Sequence, residues 1–273
     1  MAQDHSHKNY SHTQRKVTAR GAGRTSRDLN RRTLSQNFLV DPHAVDLLMA
    51  VADPTGAILE PGAGEGVLTR ALARRGATVA AYELDPLLAA KLSAQTRGEH
   101  GIQVVRGDFV KAKAPRTEFA VVGNIPFSIT SPIVGWCLQA PALTSATLLT
   151  QREYARKHTG DYGRWSLTTA LTWPWFDWQL RGHIPRTSFR PIPAVDAAIL
   201  RLDRRPTPPV LQRDSYTELV RTAYTGIGGS VRTALRTRYQ DVDSALHSAG
   251  IAHDTVVAYV HPEQWTALHS ALV

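Results

Sequence analysis

Between about Leu34 and Leu202, short apolar runs alternate with longer stretches in which apolar positions recur every three or four residues. That pattern belongs to βα units built on a mainly parallel sheet. Strands are predicted over 57–60, 78–83, 103–106, 119–122 and 146–150, and helices over 45–52, 66–75, 86–95 and 133–138. Two more strands, 178–184 and 197–202, follow with no long helical pattern between them, so the sheet is expected to finish in an antiparallel hairpin. The run Arg204-Arg205-Pro206-Thr207-Pro208-Pro209 can continue neither a helix nor a central strand and reads as a linker. Beyond it the periodicity is helical only. Val231, Leu235 and Tyr239 share one helical face, and Trp265, Leu268 and Leu272 share another after the capping pair His261-Pro262.

Composition sharpens this division. With 273 residues, 42% hydrophobic and 20% charged, the chain can bury one large core and a small second one. The net charge of +9 is uneven: residues 1–30 hold Lys8, Arg15, Lys16, Arg20, Arg24 and Arg27 against Asp4 and Asp28. This polar stretch lacks apolar periodicity and is expected to be a disordered basic arm facing a polyanion. The expected organisation is an arm over 1–30, a first domain over 31–205 and a small all-helical domain over 210–273. A single cysteine, Cys137, allows no internal disulfide, and no run of 18 apolar residues or secretion signal is found. A cytoplasmic protein with no membrane contact is expected.

The candidate chemistry lies at the strand ends. Glu60-Pro61-Gly62-Ala63-Gly64-Glu65-Gly66 puts glycines at the first strand-to-helix turn, where a ligand's approach excludes a Cβ. Glu83 ends the next strand, where a carboxylate can accept from both hydroxyls of an adenosine ribose, and Gly107-Asp108-Phe109 follows the third, with Asp108 facing an adenine amino group and Phe109 giving apolar contact. Such a turn serves NAD or S-adenosylmethionine. The spacing Gly62-x-Gly64-x-Gly66 departs from the dinucleotide pattern, and Glu60 and Glu65 surround the loop with acid that would repel a pyrophosphate and suit a sulfonium, which favours the methyl donor.

The fourth strand runs into Asn124-Ile125-Pro126-Phe127. An adenine amino nitrogen is a poor nucleophile because its lone pair is delocalised into the ring, so its N–H groups must face acceptors as a methyl arrives. The Asn124 side-chain oxygen and the Ile125 carbonyl supply them, Pro126 fixes their direction and Phe127 can stack on the base. A turn that uses Asn and Pro for local reasons and buries Phe127 is the plainer reading, and the position at a strand end argues against it.

These motifs, together with Ser35-Gln36-Asn37-Phe38-Leu39, Glu83-Leu84-Asp85, Gln151-Arg152-Glu153-Tyr154-Ala155-Arg156-Lys157 and Phe189-Arg190-Pro191-Ile192-Pro193-Ala194-Val195, resemble in order and spacing the Erm-type 23S ribosomal RNA adenine N6-methyltransferases. The resemblance implies a Rossmann-like, S-adenosylmethionine-dependent methyltransferase domain with a mainly parallel seven-stranded sheet, followed by a small all-helical domain. It implies a target adenine in 23S RNA, naked or before assembly, whose methylation blocks macrolide, lincosamide and streptogramin B antibiotics. It implies that Asn37 and Leu39 contact the methionine part of the donor, that Gly62 and Gly64 lie against it, and that Glu83 and Leu84 hold the ribose side. Asp108 and Phe109 would take the adenine, and Asn124 would bridge donor and target. Phe127 stands where many amino-methylases carry Tyr, which keeps stacking and omits a phenolic hydrogen bond.

Arg15, Lys16, Arg20, Arg24, Arg152, Arg156, Arg164 and Arg186 are candidate phosphate contacts. The tryptophans Trp165, Trp173, Trp175 and Trp178 are expected in the core. The histidines show no metal-ligand spacing, so no metal is predicted; a monomer with no protein partner is expected. The alternatives are a small-subunit RNA dimethyltransferase of ribosome assembly and a non-catalytic RNA-binding relative.

Overall fold

The computed structural model describes residues 36–226 and 229–273. Arg15, Lys16, Arg20 and Arg24, with the rest of segment 1–30, lie outside the described residues.

Among the described residues the strands are β1 (Phe38–Leu39), β2 (Ala57–Pro61), β3 (Thr78–Glu83), β4 (Ile102–Arg106), β5 (Phe119–Asn124), β6 (Leu143–Gln151), β7 (Phe176–Ile184), β8 (Phe189–Arg190) and β9 (Ala197–Arg204). Seven of them form one sheet in the order β4-β3-β2-β5-β6-β9-β7, while β1 and β8 pair separately. The pairings from β4 through to β6 are parallel. The sheet does finish antiparallel: β9 inserts between β6 and β7 and runs against both. Several strands extend past their predicted limits, as β5 does to Asn124, because each central strand keeps a hydrogen-bonding neighbour there; Asn124 pairs with Leu149.

Side chains of a strand alternate between faces, and the core divides accordingly. Ile58, Val122, Leu149 and Ile199 join one cluster, and their neighbours Leu59, Val121, Leu148 and Leu200 join another. The first face is covered by α1 (Pro42–Ala52), α2 (Val67–Arg74) and α3 (Pro86–Gln95), through Leu48, Met49, Leu68, Leu72 and Leu92. The second is covered by α4 (Thr130–Gln139) and α5 (Arg152–His158), through Ile133, Val134, Cys137 and Ala155. Such an α/β/α sandwich is the doubly wound, Rossmann-like arrangement expected.

A third cluster unites α7 (Arg213–Thr225), α8 (Val231–Leu235), α9 (Val242–Ser248) and α10 (Pro262–Leu272) around Tyr216, Leu219, Leu235, Leu246 and Trp265. It also takes Ala170, Leu167 and Leu171 from α6 (Leu167–Thr172), together with Trp175. The two units are therefore less separable than a boundary at the linker implies. The linker itself is pinned: Arg204 donates to the carbonyls of Leu143 (2.6 Å) and Ala140 (2.7 Å), and Arg205 to that of Trp173 (3.1 Å). Tyr239 corrects the helical reading. α8 ends at Leu235, whose carbonyl accepts from the N–H of Tyr239 in a tight turn before Asp241 reverses the chain at φ 51°. Tyr239 still packs on the third cluster, from outside the helix.

One buried polar pair fixes the start of the glycine turn. Glu60, 1% exposed at the end of β2, accepts from the Thr69 hydroxyl of α2 at 2.5 Å. Burial is the main reason its pKa rises from 4.5 to about 8, with the Glu83 charge adding to the rise and the Thr69 bond opposing it. A raised carboxyl pKa favours the folded state below the unfolded value and is lost as pH climbs through the folded value. Wild-type stability should therefore fall relative to Glu60→Gln between about pH 4.5 and 8, by on the order of 5 kcal/mol, and level off above. Urea midpoints of both proteins across that range check this, and a constant difference would refute it.

Candidate active site

In an open α/β sheet, ligands bind where successive connections leave the carboxyl edge in opposite directions. Here that point lies between β2 and β5, because the chain steps outward from β2 to β3 and β4 and then returns to β5 on the other side of β2. A cavity of about 140 Å³, about 650 Å³ with its open mouth, sits at these strand ends. It brings together the predicted Gly62, Glu83, Leu84, Asp108, Phe109 and Pro126, and adds Gln36, Tyr82 and Ile129.

Glu83 is only 1% exposed. Its Oε2 accepts from the Gly64 N–H at 2.7 Å and its Oε1 from the Asp85 N–H at 2.8 Å. Burial raises its pKa above the ordinary glutamate value, and the Asp85 and Gly64 donors oppose that rise. Gln36 Nε2 makes a longer, weaker contact of 3.4 Å to Oε1, while Gln36 Oε1 is buried with no partner. An orphaned acceptor beside a carboxylate with spare lone pairs calls for hydroxyl donors, which is what a ribose offers. Gln36 stands inside the Ser35-Gln36-Asn37 motif, but only its burial reveals the unpaired oxygen.

The glycine turn needs a correction. Gly62 lines the cavity at φ +71°, and a Cβ there would meet Pro126 at 3.5 Å, so both the conformation and the close approach favour glycine. Gly64 does not line the cavity. Its φ is +56°, a Cβ would strike the Phe38 ring at 3.0 Å, and its contribution is the N–H that holds Glu83. Nor do the flanking acids charge the loop as expected: Glu60 is buried and largely protonated near neutral pH, and Glu65 pairs with Lys91 at 3.4 Å. Glu83 and Gln36 suit an adenosine ribose, which both candidate cofactors carry, so the charge around the loop does not distinguish them.

Asn124 stands at the end of β5, where its Nδ2 donates to the Asn37 carbonyl at 2.8 Å. That bond fixes the amide and leaves Oδ1 as an acceptor. Asn37, Leu39, Asn124, Ile125 and Phe127 all lie outside the cavity lining. Leu39 is 3% exposed in the first core cluster and Ile125 2% in the second, so each has only its main chain to offer a ligand. Phe127 is half-buried against the first cluster, so part of its ring packs there and part stays exposed. Asp108 accepts from the Val110 N–H at 3.1 Å and lies 3.7 Å from Lys111 Nζ, leaving acceptor capacity toward the cavity. Phe109 is held edge-on to Tyr82, with ring centroids 5.4 Å apart, and Leu84 is 52% exposed at the mouth.

The described basic candidates divide. Arg152 begins α5, exposed, beside the end of β6. Arg156 is engaged by Asp161 and Glu153, and Arg164 donates to the Tyr259 hydroxyl at 2.8 Å. Arg186 is exposed, with its guanidinium 3.5 Å from the Ala194 carbonyl. Trp178 is buried as expected, and Trp165, Trp173 and Trp175 are partly buried.

A sequence model described as ribosomal RNA adenine dimethylase matches residues 27–272. The chain is 48% identical over 257 residues to an rRNA adenine N-6-methyltransferase of Aeromicrobium erythreum, covering 92% of this chain and 76% of that one. It is 46% identical to an rRNA adenine N-6-methyltransferase of Saccharopolyspora erythraea, covering 92% and 67%. The crystal structure of the 23S rRNA methyltransferase ErmE superposes with a TM-score of 0.82 at 45% identity, over 86% of this chain and 99% of that one. With the switch-point cavity, the buried Glu83 and the Asn124 strand end in place, the chain belongs to the ribosomal RNA adenine dimethylase family.

Proposed function

We propose that this protein transfers a methyl group from S-adenosylmethionine to N6 of one adenine in 23S ribosomal RNA and so confers resistance to macrolide, lincosamide and streptogramin B antibiotics. The observation that carries the reading is the convergence of three successive strand ends, at Gly62, Glu83 and Asp108, on one cavity beside Asn124. The relatives' names, rRNA adenine N-6-methyltransferase and 23S rRNA methyltransferase, support the target class.

Glu83 and Gln36 would hold the donor's ribose, Asp108 would accept from its adenine amino group, and Leu84 and Phe109 would cover the ring. Gly62 leaves room for the methionine part, which Asn37 meets through its main chain. The donor carries a methyl group made electrophilic by its positive sulfur. On the target side, Asn124 Oδ1 and the Ile125 carbonyl accept from the amino N–H groups, so lone-pair density returns to N6 where the methyl is received. Pro126 holds this corner against Gly62, and the exposed part of Phe127 meets the flipped base. The transfer needs no covalent enzyme nucleophile, and Cys137 is unsuited to act as one, since burial pushes its thiol up to about 12. Residues 1–30 act as a cationic arm, and with Arg152 and Arg186 they neutralise RNA phosphates.

Incubation with labelled donor and either naked 23S or naked 16S RNA, followed by mapping of reverse-transcription stops, tests the target. Label confined to one adenine of 23S RNA is expected, and label in 16S RNA would establish the small-subunit alternative.

Glu83→Ala should weaken donor binding by roughly 1.5–3 kcal/mol, the worth of hydrogen bonds to a charged acceptor. Because burial raises the Glu83 pKa, wild-type donor affinity should also decline on acidification sooner than an ordinary glutamate would allow. Calorimetry against pH reads both, and unchanged affinity in a folded variant removes Glu83 from the site.

Asn124→Ala should lower turnover on the order of 10²-fold, far more than it weakens donor binding by freeing the Asn37 carbonyl, since its oxygen acts as the amino nitrogen becomes nucleophilic. Single-turnover rates at saturating RNA separate these quantities. A near-normal rate would end the assignment.

A further inference from the structure

A second hollow, of about 570 Å³, opens where the segment after α5 meets the helical unit. Lys157, Tyr162, Arg164, Trp165 and Tyr259 line it. The two segments are fastened together, for the Trp165 N–H donates to the Ala258 carbonyl at 2.7 Å and Arg164 Nε to the Tyr259 hydroxyl at 2.8 Å. Trp165 forms a fixed wall, edge-on to Trp173 and His261 with ring centroids 5.5 and 4.8 Å away.

Both tyrosines are open to solvent, Tyr162 by 44% and Tyr259 by 47%. Each is steadied by a guanidinium: Arg156 lies 4.1 Å from the Tyr162 ring centroid and Arg164 5.1 Å from that of Tyr259. Charge in the hollow is positive. Glu153 and Asp161 neutralise Arg156, whereas Lys157 and Arg164 have no carboxylate partner among the described residues. Exposed rings interleaved with unneutralised cations are the surface that binds single-stranded nucleic acid, by base stacking and phosphate neutralisation. Tyr162 also donates its hydroxyl to Glu153, and the outward part of each ring stays open, a surface that an acidic protein segment would not use.

Position supports the same occupant. β6 pairs with β5 at Asn124–Leu149, and α5, whose Lys157 lines the hollow, starts directly after β6, so the hollow is built on the chain segment that follows the strand beside Asn124. We propose that this hollow is a second nucleotide subsite, in which an unpaired base flanking the target adenine stacks on Tyr162 or Tyr259 while Lys157 and Arg164 take its phosphate. The inference rests on the 23S RNA reading above and deepens it: catalysis would require a second splayed base near the flipped one, so the enzyme would select a loop and not a lone adenine.

The test uses the full chain and a 23S fragment in which 2-aminopurine replaces, one at a time, each unpaired base beside the target adenine. Binding should quench at least one flanking position. In the Tyr162→Leu/Tyr259→Leu double variant that quench should vanish and the RNA KM rise about tenfold or more, with donor affinity unchanged as the sign of an intact fold. Tyr162→Phe/Tyr259→Phe should restore the quench. Unchanged quench and RNA KM in the leucine variant, in an enzyme that still methylates 23S RNA, would overturn the subsite alone; an unmodified 23S RNA with the wild-type protein would overturn the target reading and the subsite with it.

Discussion

Glu83 accepts N–H bonds from two different turns, and the shape of the donor side follows from them. One bond draws in the glycine turn after β2 through Gly64, and the other holds the start of α3 through Asp85. The glycine turn is also tied by the Ala63 N–H to the Tyr82 carbonyl at 2.9 Å, and the start of α3 by Asp85, which accepts from the Leu87 N–H at 2.8 Å. The carboxylate is held out of water to make these bonds, and burial works against its charge, so the arrangement stands only while both N–H groups remain in place. The glycines are therefore a consequence of the carboxylate as much as a separate motif: Gly64 must bring its N–H to Glu83 while Phe38 occupies the space where its side chain would be.

The target side depends on a longer connection. Asn124 and Asn37 are joined by one hydrogen bond across 87 residues of sequence, and the segment that carries Asn37 leads directly into β1, which is pinned to β8. The N-terminal segment, the end of β5 and the strand pair beyond β7 thus meet around one amide. A change in any of them alters where the Asn124 oxygen points, without touching the cavity.

Much of this was legible along the chain. The β3 and α3 limits were read to the residue, because Asp85-Pro86 marks the helix start and Glu83 the strand end. The antiparallel finish followed from the missing helix between two apolar runs. Other features depend on what surrounds a residue, and the sequence carries no sign of that. Glu60 and Glu83 are the same residue type near two strand ends, yet enclosure leaves one largely protonated under Thr69 and the other at the ligand cavity. Gln36 shows its unpaired oxygen only when the site closes over it. Neither α6 nor α7 is among the predicted helices: Tyr216, Leu219, Val220 and Ala223 recur at one-turn spacings in α7, whereas the apolar positions of α6 face a unit encoded about forty residues later.

The place of β9 has a consequence for synthesis on the ribosome. The chain makes β6, then α5, α6, β7 and β8, before it makes the strand that must fit between β6 and β7. Until residues 197–204 emerge, β6 is an open edge whose run from Ser145 to Thr150 is buried in the finished protein, and β7 has no neighbour in the sheet. The nascent protein therefore passes through a stage in which nine-residue strands on either side of a gap present unpaired backbone, closed only by a late, long-range insertion. Release of the helical unit, whose third cluster takes in α6, comes later still, so the two halves of the aromatic hollow meet only at the end of translation.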